Sequence, residues 1–344
     1  MSRNPTMADV ARAAQVHAST VSLALRNDPR LPMETRERIR KLARAMEYRP
    51  NPMVSALIAG RRKSTEQQRG ATLAFLTAFG QKEGWRKSPN YQALYDYLRY
   101  YADLRGYRLE EFWLQEAGMS AERLRDILLA RGMHGIVVAP LPGQNHSLEF
   151  DFSDFAAIAL GQTLKSPAID HVSVNYFDIV SVAIQQLRTM RYRKIGFVTT
   201  RHIDERVNHH SQAAYLVACQ AQIPHRPYAF VVEGLTEANL WRWYQRHRPE
   251  AILLSTRTEF KIAQKTFAAN GIAIPGTVSL VNLDKAVDGK ESGVTQNLEQ
   301  TAAATIDRLT SRLERAQFGL PQYPQSVMVP GVWQSGWTTR APQI

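Results

Sequence analysis

Four small or hydroxylated residues cluster near the amino terminus, and their side chains suit hydrogen bonding to a polyanion. They are Ala18, Ser19, Thr20 and Ser22. Small side chains let a helix approach closely, while hydroxyls donate hydrogen bonds to phosphates and base edges in the major groove of DNA. A helix exposed only to solvent usually carries Glu and Lys at such positions. The pattern favours a DNA-reading helix; a three-helix cap without a DNA role is the alternative that this feature leaves open.

The net charge is concentrated around the same segment. The chain has 344 residues and a net charge of +12, and residues 1–63 hold thirteen Lys and Arg against five Asp and Glu. The basic excess therefore lies in less than a fifth of the chain. Such an asymmetry is typical of a module that binds a polyanion. A solvated basic surface is the alternative, and charge alone does not decide between them.

Three short helices are predicted to position this segment. Thr6 is a suitable N-cap for the first, and Gln15-Val16-His17 interrupts the apolar pattern after two turns. The second helix runs from Ala18 to Arg26, and the third from about Met33 to Tyr48. Three short helices with a tight first turn predict a helix-turn-helix unit. The positions predicted to face inward are Val10, Ala11, Ala14, Val21, Leu25, Ile39, Leu42, Ala43 and Met46.

A fourth, shorter helix is predicted directly after this unit. Asn51 is an N-cap, Pro52 occupies the first helical position and Gly60 follows the end. Eight residues are too few for an independently stable helix, so we expect one that forms only with a partner. Its apolar face suits pairing with a second copy and insertion into the minor groove. A plain linker is the alternative. The apolar residues are Met53, Val54 and Leu57.

From residue 71 onward, short continuous apolar runs alternate with helix-like stretches. Continuous apolarity is typical of strands buried on both faces, as in parallel sheets. The pattern predicts an α/β doubly wound core of two lobes, with ligands bound in the cleft where the strands end. The predicted strands are Thr72–Leu76, Gly135–Pro140, Ala156–Leu160, Lys194–Thr199, Ala251–Ser255 and Val278–Leu283. The predicted helices include Tyr91–Arg105, Phe177–Met190 and Glu259–Asn270.

The amino-terminal residues resemble the DNA-binding domain of the LacI-type (lactose-repressor) regulators over about fifty positions. The resemblance lies in Met7–Ala14, Thr20–Ser22, Glu34–Ile39 and Tyr48–Asn51. It implies that the second helix reads the major groove of a palindromic operator, that two chains act as a homodimer, and that Leu57 wedges into a central base step. The DNA-binding positions it implies are Thr6, His17, Ala18, Ser19, Thr20, Ser22, Leu23, Arg26, Asn51, Val54 and Leu57.

Three residues depart from the family's pattern in this region. Gln15 stands where the turn usually has glycine, so either it adopts a strained φ or the turn differs slightly. His17 replaces a serine N-cap and is a weaker cap. Leu23 replaces a frequent arginine, and leucine offers apolar contact where arginine could bond guanine. We expect an operator altered at the corresponding base.

The carboxy-terminal part resembles the same family's sugar-receptor-like core, through Val172–Asn175, Leu187–Gly196 and Ile274–Asp284. The resemblance implies an effector that is a sugar or sugar derivative. Asp284 would bond its hydroxyls, Arg206 would grip it, and Trp241 would supply an aromatic platform. The residues that depart from the family here are Asn175, Ser255-Thr256-Arg257 and His209-His210.

Structural roles are the alternatives for these candidates. Asp284 could cap the following segment, and Arg206 could pair with Asp204 or Glu205. Trp241 could pack within its helix. His202, His209 and His210 lack the spacing of a metal site, so no metal is expected.

The sequence thus predicts a small all-α helix-turn-helix head and an α/β two-lobed, periplasmic-binding-protein-like core with parallel sheets. Residues 1–50 form the DNA-binding domain, 51–68 the hinge helix and linker, and 69–344 the effector-binding and dimerisation core. The predicted lobes are about 69–165 with 292–325, and about 166–291 with 326–340.

Several function classes find no support in the sequence. No apolar run reaches the roughly 20 residues of a membrane span, and no secretory signal precedes the head. The single cysteine, Cys219, fits a reducing cytoplasm. We found no catalytic constellation and expect neither an enzyme nor a cofactor. The short tail after Arg340 favours a dimer over a tetramer.

The leading hypothesis is a ligand-controlled repressor that binds double-stranded DNA as a homodimer in the cytoplasm. Three alternatives stay open: a solute-binding receptor whose basic head is incidental, a sugar-processing enzyme tethered to DNA, and a DNA-binding regulator that has lost ligand control.

Overall fold

A computed structural model describes residues 7–25, 31–46, 71–143, 147–221 and 227–340. The chain divides into two compact units, Met1–Gly70 and Ala71–Ile344.

The head contains the three predicted helices, α1 (Met7–Ala14), α2 (Ala18–Leu25) and α3 (Met33–Ala45). They pack around a small apolar core in which Leu42 and Met46 are half-buried at the edge. The predicted end of the third helix at Tyr48 lies outside the described residues. The fully or nearly fully buried residues are Val10, Ala11, Ala14, Val21, Ala24, Ile39 and Ala43.

The turn between α1 and α2 follows the first of the two alternatives raised by its missing glycine. Gln15 has a φ of 54°, the left-handed conformation that glycine adopts most readily. The amide of Val16 donates to the carbonyl of Ala11 at 3.0 Å, which closes the turn. The carbonyl of His17 then accepts from the amide of Thr20 at 2.9 Å and starts α2. The backbone therefore keeps the tight turn and accommodates the strained φ.

The core unit contains two six-stranded sheets, and all neighbouring strands of the first sheet run parallel. Its strand order is β11-β5-β4-β3-β1-β2. The strands are β1 (Ala71–Thr77), β2 (Tyr107–Trp113), β3 (Gly135–Val138), β4 (Ala156–Leu160), β5 (His171–Val174) and β11 (Ser326–Val329).

The second sheet has the order β12-β10-β9-β8-β6-β7, and only the pairing of β12 with β10 is antiparallel. Its strands are β6 (Ile195–Thr200), β7 (Tyr228–Val232), β8 (Ala251–Leu254), β9 (Ser279–Lys285), β10 (Gly293–Thr295) and β12 (Val332–Gln334). All six predicted apolar runs form strands, and the other strands of the two sheets were not predicted.

Helices cover both faces of each sheet, so each lobe has three layers. On the first sheet, α4 (Pro89–Leu104) and α11 (Leu298–Glu314) cover one face and α5 (Ala121–Ala130) the other. The helices of the second sheet are α6 (Tyr176–Thr189) and α8 (His210–Ala221) on one face, and α9 (Glu237–His247) and α10 (Arg257–Ala269) on the other. A short helix α7 (Arg201–Arg206) follows β6, and a 3₁₀ turn (Gly84–Lys87) precedes α4.

The three crossings between lobes lie later in the chain than the sequence predicts. Strands β5 and β11 belong to the first sheet, and β10 belongs to the second. The predicted boundaries near 165, 291 and 325 therefore move past residues 174, 295 and 329. The reason is that β5 is only four residues long and includes the polar Ser173, so the criterion of a continuous apolar run passes over it. No helix of the described residues is both long and apolar enough to cross a membrane.

Candidate functional site

A cavity of about 300 Å³ lies at the carboxyl ends of the strands, between the two lobes of the core unit. Parallel α/β folds bind ligands at this edge because loops and helix starts converge there. The first lobe contributes Asn90, Tyr91 and Gln162, and the second contributes Tyr176, Arg206 and Asp284. The cavity thus contains two of the three predicted effector-binding residues, Arg206 and Asp284.

The start of α4 brings Asn90 and Tyr91 to the cavity. Ser88 is the N-cap of this helix, its hydroxyl accepts from the amide of Tyr91 at 3.5 Å, and Pro89 follows at the first helical position. Just before it, the buried Trp85 donates from Nε1 to Glu111 of β2 at 2.7 Å. The helix start is therefore fixed to the edge strand of the sheet.

Arg86 strengthens this attachment. Its guanidinium lies 4.1 Å from the centre of the Trp85 ring and donates to Glu111 Oε2 at 2.8 Å. A cation over an indole face and a carboxylate shared with the indole N–H hold the two side chains in one arrangement. The cluster of Trp85, Arg86 and Glu111 therefore sets where the first turn of α4 lies.

Asp284 lies near the end of β9 and is held by amides rather than by a cation. Its Oδ1 accepts from Asn90 Nδ2 at 2.5 Å and from Gln296 Nε2 at 2.8 Å. Desolvation by the surrounding protein raises the pKa of this carboxyl to about 6, although Arg257 and the Asn90 hydrogen bond favour the charged form. A carboxylate so placed can accept hydrogen bonds from hydroxyl or amino groups of a ligand.

Arg206 ends α7 and donates across the cavity to the first lobe. Its Nη1 bonds the carbonyl of Leu141 at 2.8 Å, and its Nη2 bonds the hydroxyl of Tyr91 at 3.3 Å. The alternative pairing with Asp204 or Glu205 is not present. Asp204 instead accepts from His209 Nδ1 at 2.6 Å. Among the described residues, the guanidinium is therefore bound by neutral acceptors alone, and it lines the cavity.

Tyr176, the first residue of α6, was not identified from the sequence. It lines the cavity, and desolvation raises the pKa of its phenol, with Tyr91 and Asp284 adding to the shift and Arg206 opposing it. Within the described parts of the chain its hydroxyl forms no hydrogen bond. The one signal was its place at a helix start directly after Asn175, the N-cap of α6.

Trp241 does not line this cavity, so its role as an aromatic platform stays a prediction without support from the cavity. It lies on α9 and packs at the edge of the core beneath that helix. Its ring stacks on Tyr244 with centroids 5.7 Å apart. Helix α9 covers one face of the second sheet, and Trp241 packs there. This is the structural role that the sequence offered as the alternative to a ligand platform.

The histidines near α7 form no metal site. Asn208 and His209 adopt positive φ angles of 53° and 60°, in the loop where the family's glycine was expected. His209 bonds Asp204, and His210 Nδ1 lies 3.3 Å from Gln162 Nε2. No group of three His, Cys, Asp or Glu side chains in the described residues could hold a metal ion.

In the head, α2 carries Ala18, Ser19, Thr20, Ser22 and Leu23 on one eight-residue helix. Thr20 and Leu23 are half-buried, and His17 before the helix is exposed. The other predicted DNA-binding residues lie outside the described residues. These are Thr6, Arg26, Asn51, Val54 and Leu57.

Two sequence models of known families match the chain. Residues 6–51 match the bacterial regulatory proteins of the lacI family. Residues 184–330 match the periplasmic binding protein-like domain. The first match contains the helix-turn-helix, and the second includes most of the second lobe with α11 and β11. A comparison with curated proteins gave no match.

Solved structures of similar fold cover nearly the whole chain. The transcriptional regulator CelR in its cellobiose complex has a TM-score of 0.58 and 16% identity over 97% of this chain and 99% of its own. The lac repressor dimer bound to operator and the anti-inducer ONPF has a TM-score of 0.57 and 17% identity over 98% and 100%. CcpA of Lactococcus lactis has a TM-score of 0.56 and 14% identity over 79% and 100%.

At sequence identities of 14–17%, the similarity to solved structures establishes only the fold. The family relationship rests on the two sequence models. The head matches the lacI model, and the core has the two-sheet α/β architecture of the periplasmic binding protein-like domain. The chain therefore joins a helix-turn-helix of the lacI family of bacterial regulatory proteins to a periplasmic binding protein-like core, which is the organisation of a DNA-binding transcriptional regulator.

Proposed function

We propose that this regulator is a cytoplasmic repressor that binds a palindromic operator as a homodimer and responds to a sugar-like molecule in the cavity. The observation that carries the proposal is the position of Arg206 and Asp284, which reach one cavity from separate elements of the second lobe. A guanidinium and a carboxylate in one partly apolar cavity suit a small polar ligand with several hydroxyl groups.

The DNA-binding half of the proposal rests on α2 and on the charge of the head. Helix α2 follows a tight turn at Gln15, as the reading helix of a helix-turn-helix does. Residues 1–63 carry a net excess of eight basic residues, which favours binding to phosphates with strong salt dependence. In related solved structures the lac repressor is a dimer bound to operator, and CelR is in complex with cellobiose. These relatives support a dimer and a sugar-like effector here.

Selection of bound sequences from a random DNA pool tests the DNA-binding half. We expect a two-fold symmetric consensus, with affinity that falls steeply as salt increases. If the purified protein shows no preference for any sequence over random DNA at moderate salt, the proposed operator binding is wrong.

A thermal-shift screen tests the ligand-binding half. A ligand that binds the folded core raises its melting temperature in proportion to the logarithm of its concentration. The screen uses cellobiose, glucose and phosphosugars on the wild-type protein and on Arg206→Ala. We expect a stabilising sugar or phosphosugar whose effect is lost in the variant; equal stabilisation of both proteins would place its site elsewhere.

A regulator without ligand control is the second candidate, and one observation favours it. Arg206 and Asp284 already have hydrogen-bond partners within the protein, so neither requires a ligand to satisfy it. This candidate predicts operator binding in the first experiment and no stabilising molecule in the second.

A further inference from the structure

The two lobes are joined across the cavity by the same side chains that were predicted to hold the effector. Asn90 of α4 donates to Asp284 of β9 at 2.5 Å, although the two are 194 positions apart in the chain. Arg206 of α7 donates to the Leu141 carbonyl and the Tyr91 hydroxyl of the first lobe. Each candidate ligand contact is therefore also a contact between lobes.

Two adjacent residues of the first lobe provide most of these contacts. Asn90 and Tyr91 lie in the first turn of α4, and Asn90 is buried. The Oδ1 atom of Asn90 also accepts from Arg257 Nη2 of the second lobe at 3.5 Å. One helical turn thus bonds three residues from three elements of the second lobe: Arg206, Arg257 and Asp284.

This turn is held rigidly on its own lobe. The cluster of Trp85, Arg86 and Glu111 fixes the preceding residues to β2, and the Ser88 cap fixes the first amides. A rigid support matters because a contact between lobes restrains their motion only if each half is fixed to its own lobe. The first turn of α4 meets this condition.

Two weaker contacts join the lobes at a second place. Lys165 Nζ donates to Asn208 Oδ1 at 3.4 Å, and Gln162 Nε2 lies 3.3 Å from His210 Nδ1. Gln162 and Lys165 lie in the loop after β4, Asn208 lies in the loop before α8, and His210 is the first residue of α8. They do not involve Arg206 or Asp284, so a ligand that bonds those two residues leaves them in place.

We propose that Asn90 and Tyr91 form a latch that holds Arg206 and Asp284 across the cleft and closes the core in the absence of a ligand. The inference rests on the proposed function only in assigning Arg206 and Asp284 to a ligand. Nη2 of Arg206 donates to Tyr91, and Oδ1 of Asp284 accepts from Asn90. A ligand that takes the place of these two latch groups displaces the latch, so its binding is coupled to the relative position of the lobes.

The latch explains how a small molecule can act on a core that is closed without it. A ligand shifts a conformational equilibrium only by interacting differently with the two states. Because latch and ligand compete for the same atoms, the ligand loses affinity in the latched state and keeps it when Arg206 and Asp284 are released. Asn90 and Tyr91 are therefore positioning residues for the proposed ligand site.

Hydrogen exchange measured by mass spectrometry on the full chain tests the latch without a ligand or DNA. The test variant combines Asn90→Ala with Tyr91→Phe, and the reporters are second-lobe amides in residues 201–211 and 279–285. These segments contain neither substitution. We expect their exchange to be about fivefold to thirtyfold faster, because each lost hydrogen bond between lobes increases opening by roughly fivefold.

The matched control is Tyr101→Phe, which also removes one tyrosine hydroxyl from α4. That hydroxyl donates to Glu299 of α11 at 3.0 Å, within the first lobe. We expect the control to leave the second-lobe reporters unchanged. Equal exchange in the wild type, the control and the double variant would overturn the latch.

The single variants distinguish loss of the latch from a folding defect of the double variant. Tyr91→Phe removes one oxygen atom and keeps the ring, and we expect about a fivefold increase at residues 201–211 and none at 279–285. An equal increase throughout both lobes would indicate general destabilisation and overturn the proposal. If the protein binds no DNA sequence in the selection experiment, the proposed function fails, while the exchange result still decides whether the latch exists.

Discussion

The head and the cavity differ in how far apart their functional residues lie in the chain. In the head, the positions proposed to read the major groove lie in α2, an eight-residue helix. In the cavity, Asn90 and Asp284 share one hydrogen bond across 194 positions of sequence. The head carries its function in a continuous segment, whereas the cavity exists only once the two sheets have formed.

The two regions also differ in electrostatics. The head has a basic excess on a surface that meets a polyanion, so its binding is screened by salt. The cavity contains one guanidinium and one carboxylate, and burial raises the pKa of the Asp284 carboxyl to about 6. Substitutions in the head should therefore act on DNA affinity, and substitutions in the cavity on stability, pH dependence and ligand response.

The largest effect is expected when a negative charge is introduced on the proposed reading helix α2, with Thr20→Glu. A carboxylate on α2 would face phosphates and base edges and would be repelled by the negative charge of the DNA. It would also lose its hydration at the interface without gaining a cationic partner. We expect operator affinity to fall at least about 100-fold, or roughly 3 kcal/mol. Fluorescence anisotropy with the selected operator measures the change.

The control for this variant is Thr189→Glu, at the exposed end of α6 in the core. It makes the same change in chemistry and net charge far from α2 in sequence. We expect operator affinity within about threefold of the wild type. A similar loss in both variants would show that net charge, rather than the surface of α2, determines the affinity.

The difference between the regions also explains what could be predicted from the sequence. Helix period, caps and turn residues are local, so α1, α2 and α3 were predicted closely, and the turn at Gln15 adopts one of the two conformations that the sequence left open. The six apolar strands were also local signals. Strand β5 has no such local signal, because His171–Val174 forms a strand by pairing with β4 and β11.

The cavity was predicted only in part for the same reason. Asp284 and Arg206 were found through a family resemblance, while Tyr176 and Asn90 have no local signature that marks them as cavity residues. Trp241 shows the converse case, a residue with a plausible local signature that does not line the cavity. An aromatic residue on a helix near a sheet is compatible with stacking on a ligand or on Tyr244, and only the face that the helix covers decides between them.

A second prediction concerns which base pair the head reads. Leu23→Arg restores a bidentate donor on α2 where leucine offers apolar contact. We expect a new selected consensus with guanine at one position of each half-site and about a tenfold loss of affinity for the wild-type operator. Selection from the random pool measures both. Leu23→Ala serves as the apolar control, and an unchanged consensus for Leu23→Arg would show that this position does not read a base.

A third prediction concerns the buried acid of the cavity. The pKa of Asp284 is about 6 in the folded chain and 3.8 is its ordinary value. The folded state therefore binds the proton more tightly, and this group adds stability as pH falls from above 6 toward 4. We expect Asp284→Asn to remove roughly 1–3 kcal/mol of that gain.

Denaturant unfolding between pH 4 and 7 measures this contribution. Asp126→Asn, on the exposed side of α5, is the matched control for the loss of one carboxylate. Glu259, whose pKa burial raises to about 7, is present in every variant and contributes equally to each pH profile. If Asp284→Asn and the wild type show the same change between pH 7 and pH 4, the carboxyl does not carry the expected proton linkage.

The smallest expected effect returns to the head and its turn. Gln15 adopts a φ of 54°, and glycine reaches this conformation without the steric cost that a side chain incurs. Gln15→Gly should therefore stabilise the head by about 0.5–1 kcal/mol, measured by slower hydrogen exchange at residues 7–25. Ala13→Gly, on the exposed face of α1, provides a control of opposite sign because glycine destabilises a helix interior by about 1 kcal/mol. If both variants destabilise the head, the turn is not limited by its φ, and the strain is offset by contacts of the Gln15 side chain.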